Sequence, residues 1–380
     1  MLYDMALWAS LILLGIGVIH RIDAWFLRDV GLGDRTASPA HRFGAGLKGL
    51  LATVFSGRIV GLLKVVIVDV LFQGRILRDA KDPLAWVMHV CIFWGFLLLL
   101  VFHALGSTFG TLIAPSYVST LNPFMLLRDA CGLVLAVGLM LAVVRRLKRR
   151  GEIVTSAGDK AVVSILAVIA LTGFLLQAVK TTSVGEFTRM ATDYTGGALT
   201  PDDTEALKAY WVAEYGLVAP VASHDPAMLD KGKAVHESFC QSCHTKPQAA
   251  FVSYGVSRVI APAAAALDGA GLVRGLWWVH VLACCLGLVW VAFSKMFHVV
   301  STPVSLVVAE VAGAAETPAA AATRQMIELD GCSHGGACHE SCPVRLRRLE
   351  RIGGEPAYEP MLAFVGRKSA TDLGSRPVAG

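Results

Sequence analysis

The sequence predicts an all-α membrane protein, in which a five-helix transmembrane bundle carries an extramembrane insert and a cysteine-rich tail. Three observations support this fold class. Hydrophobic residues make up 55% of the 380 residues and charged residues only 17%, a balance that is unusual for a soluble globular enzyme. Five apolar stretches are long enough to cross a bilayer. Basic residues are concentrated in alternate connections, as membrane topology requires.

The predicted membrane-spanning helices have few charges. They cover residues 4–20, 84–106, 123–144, 161–179 and 275–300. Residues 51–73 are nearly long enough to span but contain Arg58, Lys64 and Asp69, and both flanks are basic. We therefore expect residues 51–73 to form a helix that lies on the inner membrane surface.

The distribution of lysine and arginine predicts the orientation. Residues 21–83 carry ten of them, whereas 107–122 carries no charged residue. By the positive-inside rule, the N-terminus and residues 179–273 lie outside (in the periplasm), and the C-terminus lies in the cytoplasm. The first helix lacks a basic start and a cleavage site, so we expect a retained helix in the inner membrane.

This topology divides the chain into four parts. They are the first four transmembrane helices with their cytoplasmic loop (1–178), a periplasmic insert (179–273), the fifth transmembrane helix (274–310) and a cytoplasmic tail (311–380). The net charge of +5 follows the topology and does not indicate nucleic-acid binding.

Four histidines in the predicted helices form the first candidate site. His89 and His103 are fourteen residues apart in one helix, and His280 and His298 are eighteen apart in another. In continuous helices these spacings amount to about 21 Å and about 27 Å. Antiparallel packing would pair His103 with His280 and His89 with His298, and each pair could hold one haem b iron. The alternative is a polar helix interface, although ionisable groups inside membranes are usually functional.

The insert contains a second motif, Cys240-Gln-Ser-Cys243-His244. This C-x-x-C-H pattern is typical of covalent attachment of one haem c, with two thioether cysteines and a proximal histidine. The preceding helix resembles the N-terminal helix of class I cytochromes c at Gly232, Val235 and Phe239. The alternatives are a disulfide or a zinc knuckle. Four residues remain candidates for the distal iron ligand: Met190, His224, Met228 and His236.

The tail contains a third motif. After an expected linker over 312–322, Cys332, Cys338 and Cys342 precede a proline, and Gly335 stands where the ferredoxin pattern C-x2-C-x2-C-x3-C-P has its second cysteine. We expect a [3Fe-4S] cluster, or a [4Fe-4S] cluster whose last iron takes another ligand. The competing interpretation is a zinc site or a decayed motif. Four arginines follow and could face an acidic partner or lipid: Arg345, Arg347, Arg348 and Arg351.

The region around His89 carries a family resemblance. A basic stretch precedes the pattern His89-x3-Phe93-Trp94-Gly95-Phe96, and the eighteen-residue histidine pair follows late in the chain. These features resemble the cytochrome b (gamma) subunit family of respiratory nitrate reductase. They are more similar still to cytochrome b subunits of heterodisulfide-reductase-like and dissimilatory sulfite reductase-associated membrane complexes. The resemblance covers about 1–180 and 274–310, and it implies two b haems, a quinone/quinol site and a cytoplasmic iron–sulfur partner.

Arg128 and Asp129 interrupt the third predicted span near its outer end. Arg128 could bind a propionate of the outer haem or a quinone oxygen. The alternative is an Arg128–Asp129 ion pair that reaches to the membrane surface. Four intramembrane cysteines are most simply small buried apolar residues: Cys91, Cys131, Cys284 and Cys285.

These motifs predict a membrane electron-transfer subunit. It would pass electrons between the quinone pool and/or a periplasmic cytochrome c and a cytoplasmic iron–sulfur partner through two b haems. No motif indicates acid–base or nucleophilic catalysis, so we expect the substrate chemistry in a partner subunit. Two alternatives remain open at this point: a self-sufficient quinol:cytochrome c reductase, and a non-catalytic membrane anchor or redox sensor.

Overall fold

A computed structural model describes residues 2–28, 37–80, 82–104, 106, 117–149, 157–312 and 317–331. All the regular elements in these ranges are helical, which confirms the predicted all-α class. The chain divides into two compact units. The first comprises Met1–Trp86, Arg146–Lys160 and Leu286–Gly380, and the second comprises Val87–Arg145 and Ala161–Cys285.

The α-helices are numbered here in chain order. They are α1 (Leu2–Leu27), α2 (Pro39–Val54), α3 (Ile59–Lys64), α4 (Gly74–Ala80), α5 (Pro83–Leu99), α6 (Phe124–Lys148), α7 (Ala157–Thr182), α8 (Val184–Thr195), α9 (Pro201–Glu214), α10 (Pro226–Phe239), α11 (Phe251–Ile260), α12 (Ala264–Gly269), α13 (Leu272–Phe293), α14 (His298–Ala312) and α15 (Pro318–Asp330). Two π-helical turns continue α3 and α5, namely Val65–Leu71 and Leu100–Ala104.

Six helices in the described part of the chain are long and apolar enough to cross a membrane. Five of them match the predicted spans, and the sixth covers Lys295–Ala312. The predicted count of five is therefore one too low, because the last apolar run of the sequence forms two helices instead of one.

The break in that run lies at Ser294. Its backbone is extended, with φ −130° and ψ −176°, and its side chain accepts a hydrogen bond from the Met296 amide. Arg21 also donates to the carbonyls of Ala292 (3.1 Å) and Ser294 (3.3 Å). A serine cap and an arginine that satisfies helix-end carbonyls together terminate a helix. The prediction of one continuous helix that carries both His280 and His298 is wrong.

The predicted interfacial helix over 51–73 is also interrupted. Helix α2 ends at Val54, and the segment Ile59–Leu71 is bent from it by 98°. Between them, Arg58 donates to the carbonyls of Glu310 (2.7 Å) and Val311 (3.0 Å) at the end of α14. Arg58 thus satisfies carbonyls that the end of a helix leaves free.

The predicted linker over 312–322 is helical from Pro318 onward. Thr317 caps α15 by accepting from the Ala320 amide (3.3 Å), and Pro318 occupies the first turn. Arg324 and Glu328, 10% and 5% exposed at their side chains, form an ion pair of 2.7 Å. Helix α15 therefore packs inside the first unit and is not an extended connection.

The end of α15 returns to the start of α14. Ser301 donates to the Asp330 carbonyl and Thr302 to the Gly331 carbonyl, both at 3.1 Å. The Asp330 carboxylate accepts hydrogen bonds from Arg21 and from the Trp25 indole. Because Arg21 also binds the end of α13, it links the end of α15 to the end of α13.

Candidate functional site

His103 and His280 face each other in the second unit. His103 lies in the π-helical turn after α5, and His280 lies on α13. Their ring centroids are 6.1 Å apart, and the ring planes are inclined by 54°. The structure thus places these two rings beside each other, and their role as haem ligands stays a prediction. The π turn is notable because such turns occur frequently at functional sites.

The separation of the two rings suits an iron atom between them. Metal–imidazole bonds are about 2 Å long, and the bonded nitrogen lies roughly 1 Å from the ring centre. Two imidazoles on opposite sides of one metal therefore place their centroids roughly 6 Å apart. In the described residues, no group of three or more His, Cys, Asp or Glu side chains could hold a metal ion. A haem needs only the two histidines, so this pair fits a haem better than a protein-ligated ion.

The His280 ring is oriented by α7. Thr172 donates its hydroxyl hydrogen to the Val168 carbonyl (2.6 Å), so its oxygen is free to accept from His280 Nδ1 at 3.0 Å. A proton on Nδ1 leaves the Nε2 lone pair available for a metal. Gly173 lies beside the same ring, since a Cβ atom there would be 3.4 Å from His280 Cε1. Sequence reasoning missed both residues, because their role depends on tertiary packing.

His298 shows the same arrangement within the first unit. Its Nδ1 lies 2.7 Å from the Lys295 carbonyl, which can only accept a hydrogen bond. The proton is therefore on Nδ1, and Nε2 is again the nitrogen with a lone pair. His89 belongs to the second unit, whereas His298 belongs to the first. The predicted His89–His298 pair stays a prediction.

Arg128 and Asp129 do not form the ion pair that was one alternative. The Asp129 carboxylate accepts hydrogen bonds from the amides of Val252 (2.7 Å) and Ser253 (3.2 Å) and from the Ser253 hydroxyl (2.6 Å). These are amides of the first turn of α11, which a carboxylate stabilises. Arg128 is half-buried and lies within electrostatic reach of His103. It therefore stays available for an anionic group.

The C-x-x-C-H motif follows the end of α10. This helix packs against α9 at Gly232, where a Cβ atom would collide with the Ala206 carbonyl. Cys240 is buried and Cys243 exposed, and both are free thiols. Burial raises the pKa of the Cys240 thiol to about 11.

The imidazole of His244 is neutral and partly buried. Burial and the nearby His236 lower the pKa of His244 from its usual value, which keeps the imidazole neutral at neutral pH. Its ring contacts Trp211 edge to face, with centroids 5.5 Å apart. The motif therefore combines a buried thiol, an exposed thiol and a neutral imidazole.

Both nitrogens of His236 are hydrogen-bonded. The Trp211 indole donates to Nδ1 (3.2 Å), so the proton of the neutral ring is on Nε2, which lies 2.8 Å from the Tyr215 hydroxyl oxygen. His236 is therefore unsuited to be a distal haem ligand. Met190 packs against the apolar cluster of Phe187, Leu207, Leu217 and Cys240. Met190 is therefore the candidate distal ligand that packs against the cluster containing Cys240.

The insert is bonded to the segment that leads into α6. Thr120 donates to the Cys243 carbonyl, and Thr245 donates to the Thr120 carbonyl through its hydroxyl (3.1 Å) and its amide (3.3 Å). With the Asp129 bonds to α11, the insert is fixed on both sides of Arg128. The C-x-x-C-H motif and the His103–His280 pair consequently belong to one compact unit.

The remaining predicted residues are the cysteines of the tail and those of the predicted spans. Cys332, Cys338 and Cys342 lie outside the described residues, so the iron–sulfur prediction rests on the sequence. The four intramembrane cysteines are free and at least partly buried, as expected of small apolar residues. Cys284 Sγ lies 3.8 Å from His280 Nε2.

These features define a class, that of multi-pass, all-helical membrane proteins. Two curated relatives specify the resemblance further. Over 138 residues the chain is 28% identical to the E subunit of dihydromethanophenazine:CoB–CoM heterodisulfide reductase from Methanosarcina barkeri. Over 139 residues it is 28% identical to the equivalent protein of Methanosarcina thermophila. Each match covers 33% of this chain and 50% of the relative, so the chain spans about half the length of the curated relatives it matches.

No protein-family model and no solved structure matches the chain. Both relatives fall within the heterodisulfide reductase branch of the predicted resemblance. The nitrate reductase branch stays a prediction.

Proposed function

We propose that this chain is a membrane electron-transfer subunit with two b haems and one c haem. It passes electrons between the quinone pool and/or a periplasmic cytochrome c and a cytoplasmic iron–sulfur partner. The observation that carries the proposal is the His103–His280 pair, at a ring separation of 6.1 Å that suits a bis-histidine iron. The similarity to one component of heterodisulfide reductase supports a redox role within a larger complex.

The proposed ligands define the chemistry. An iron between two imidazoles has no open coordination position, so it carries single electrons and does not bind substrate. Quinol oxidation to quinone releases two protons and two electrons, which such carriers accept one at a time. Substrate chemistry then falls to a partner, which we propose is an iron–sulfur subunit in the cytoplasm. Membrane lipid surrounds the bundle.

The proposal is tested by haem analysis of the full chain purified in mild detergent. Pyridine haemochrome spectra should give two b haems and one c haem per chain, because there are two histidine pairs and one C-x-x-C-H motif. Identification of the co-purified subunits by mass spectrometry tests the partner. A ratio of one b haem to one c haem would contradict the paired-histidine assignment, and an absence of haem would refute the function.

The tail should bind an oxygen-sensitive iron–sulfur cluster through Cys332, Cys338 and Cys342. Thiolates favour such clusters, and the absent fourth cysteine should leave one iron labile. Anaerobically purified protein should therefore contain about three or four irons beyond its haems. The oxidised three-iron form would give a paramagnetic signal, and Gly335→Cys should favour a stable four-iron cluster.

A truncated chain is the matched control for this experiment. Truncation after Gly331 removes the motif but retains α15 with its bonds to Arg21, Trp25 and Ser301. Truncation should remove the extra iron, leave all three haems bound and stop electron delivery to the cytoplasmic partner. One zinc per chain with no extra iron would contradict the cluster. Undiminished delivery after truncation would favour the self-sufficient quinol:cytochrome c reductase.

A further inference from the structure

We infer that Arg128 and Lys180 together form a binding site for the two carboxylates of the prosthetic group that His103 and His280 hold. The inference rests on the proposed haem between these histidines, and it adds to that proposal the residues that neutralise the propionates. It also assigns a role to Lys180, which the sequence did not single out.

In the described part of the chain, no hydrogen bond or ion pair engages the guanidinium group of Arg128. The neighbouring Asp129 lies within electrostatic reach, but its carboxylate bonds to α11. Tyr117 also lies within electrostatic reach of Arg128, but its hydroxyl donates to the Phe102 carbonyl (2.9 Å). A half-buried guanidinium in a membrane helix is costly unless an anion compensates it.

Lys180 is a second cation, and it is exposed in the last turn of α7. It lies seven residues after Gly173, about two helical turns, so both residues are on one face of α7. Gly173 is the residue that approaches the His280 ring. The described residues offer Lys180 no hydrogen bond or ion pair, since Glu186, which is within electrostatic reach, pairs with Arg189 at 2.8 Å.

The two cations lie near the same histidine, His103. Arg128 and Lys180 are within electrostatic reach of each other and of His103. Like charges this close repel each other. A ligand with two carboxylates would remove the repulsion, and haem b carries two propionates. A quinone ring is neutral and would leave both charges uncompensated, so the charge balance favours the propionates.

The test compares Arg128→Gln, Lys180→Gln and the double variant in the purified full chain. The outer haem should have a lower reduction potential in each single variant, because a lost cation destabilises the reduced, more negative haem. The double variant should show a larger decrease or lose that haem. Arg128→Lys and Lys180→Arg should restore most of the wild-type potential, which a merely structural role would not require.

Lys208→Gln is the matched control, because Lys208 pairs with Glu205 on α9 and its loss should leave both b potentials unchanged. Unchanged outer potentials in Arg128→Gln and Lys180→Gln would overturn the inference. Unchanged potentials with slower haem reduction by quinol would assign the cations to the quinone instead. If the wild-type chain lacks two b haems, the proposed function fails first, and the potential measurement does not apply.

Discussion

His280→Ala is expected to reduce the b haem content from two per chain to one and to leave the c haem unchanged. The variant removes one of the two imidazoles that would hold the outer iron, and His103 alone leaves an open coordination position. His298, the proposed inner ligand, lies in a different helix, because α13 ends at Phe293. Haem extraction and low-temperature spectra, which separate the two b haems, measure the outcome.

Thr172→Val and Cys285→Ala sharpen this experiment. Thr172→Val leaves the Nδ1 proton of His280 without its acceptor at 3.0 Å, and loss of such an outer partner typically costs a ligand site about 10–100-fold in affinity. Cys285 lies on the same helix as a free, buried thiol and has no proposed role, so Cys285→Ala should retain both haems. Two b haems in His280→Ala would show that His280 is not a ligand.

The positions of the apolar spans could be predicted because hydropathy is a local property of the sequence. The break at Ser294 could not, since the run from Gly275 to Ser301 is mostly apolar and Lys295 is its single Lys, Arg, Asp or Glu residue. The break depends on Arg21, which is far away in sequence and binds the carbonyls at the helix end. Helix α15 did have a local signal, the Thr317–Pro318 cap, but its many alanines resemble a linker.

The proximity of His103 and His280 could be predicted, but the residues around them could not. The histidine spacing in two antiparallel helices predicted that these rings lie at the same depth, and the rings do lie close together. The spacing argument for His298 used a continuous helix, whereas α13 ends at Phe293 and His298 begins α14. Thr172 and Lys180 could not be identified from the sequence, because a threonine or a lysine near a helix end is common. Only the packing of α7 against His280 distinguishes them.

The hydrogen bonds between the insert and α6 bear on electron transfer by the proposed c haem. The sequence set residues 179–273 apart, whereas the structure groups them with the helices of the second unit. Thr120 bonds to the backbone of Cys243, and Asp129 bonds to the first turn of α11. The C-x-x-C-H motif is thereby bonded within the unit that also contains Arg128 and His103. Under the proposed function, such fixation favours direct electron exchange between the outer b haem and the c haem.

Cys240→Ala is expected to abolish covalent haem staining of the denatured chain while both b haems are retained. The thiol of Cys240 forms one thioether in the proposed attachment, whereas the bonds that anchor the insert involve Thr120, Thr245 and Asp129. Haem-dependent peroxidase staining after denaturing electrophoresis measures covalent attachment. Retained staining would contradict the assignment of the motif.

Met190→Leu is the matched variant, because Met190 and Cys240 belong to the same apolar cluster. The leucine keeps the apolar packing but removes the sulfur, so Met190→Leu should stain as strongly as the wild type. If Met190 is the distal ligand, the ferric c haem of this variant should change from low spin to high spin in its absorption spectrum. An unchanged low-spin spectrum would exclude Met190 and direct attention to His224 or Met228, or to a ligand from another protein of the complex.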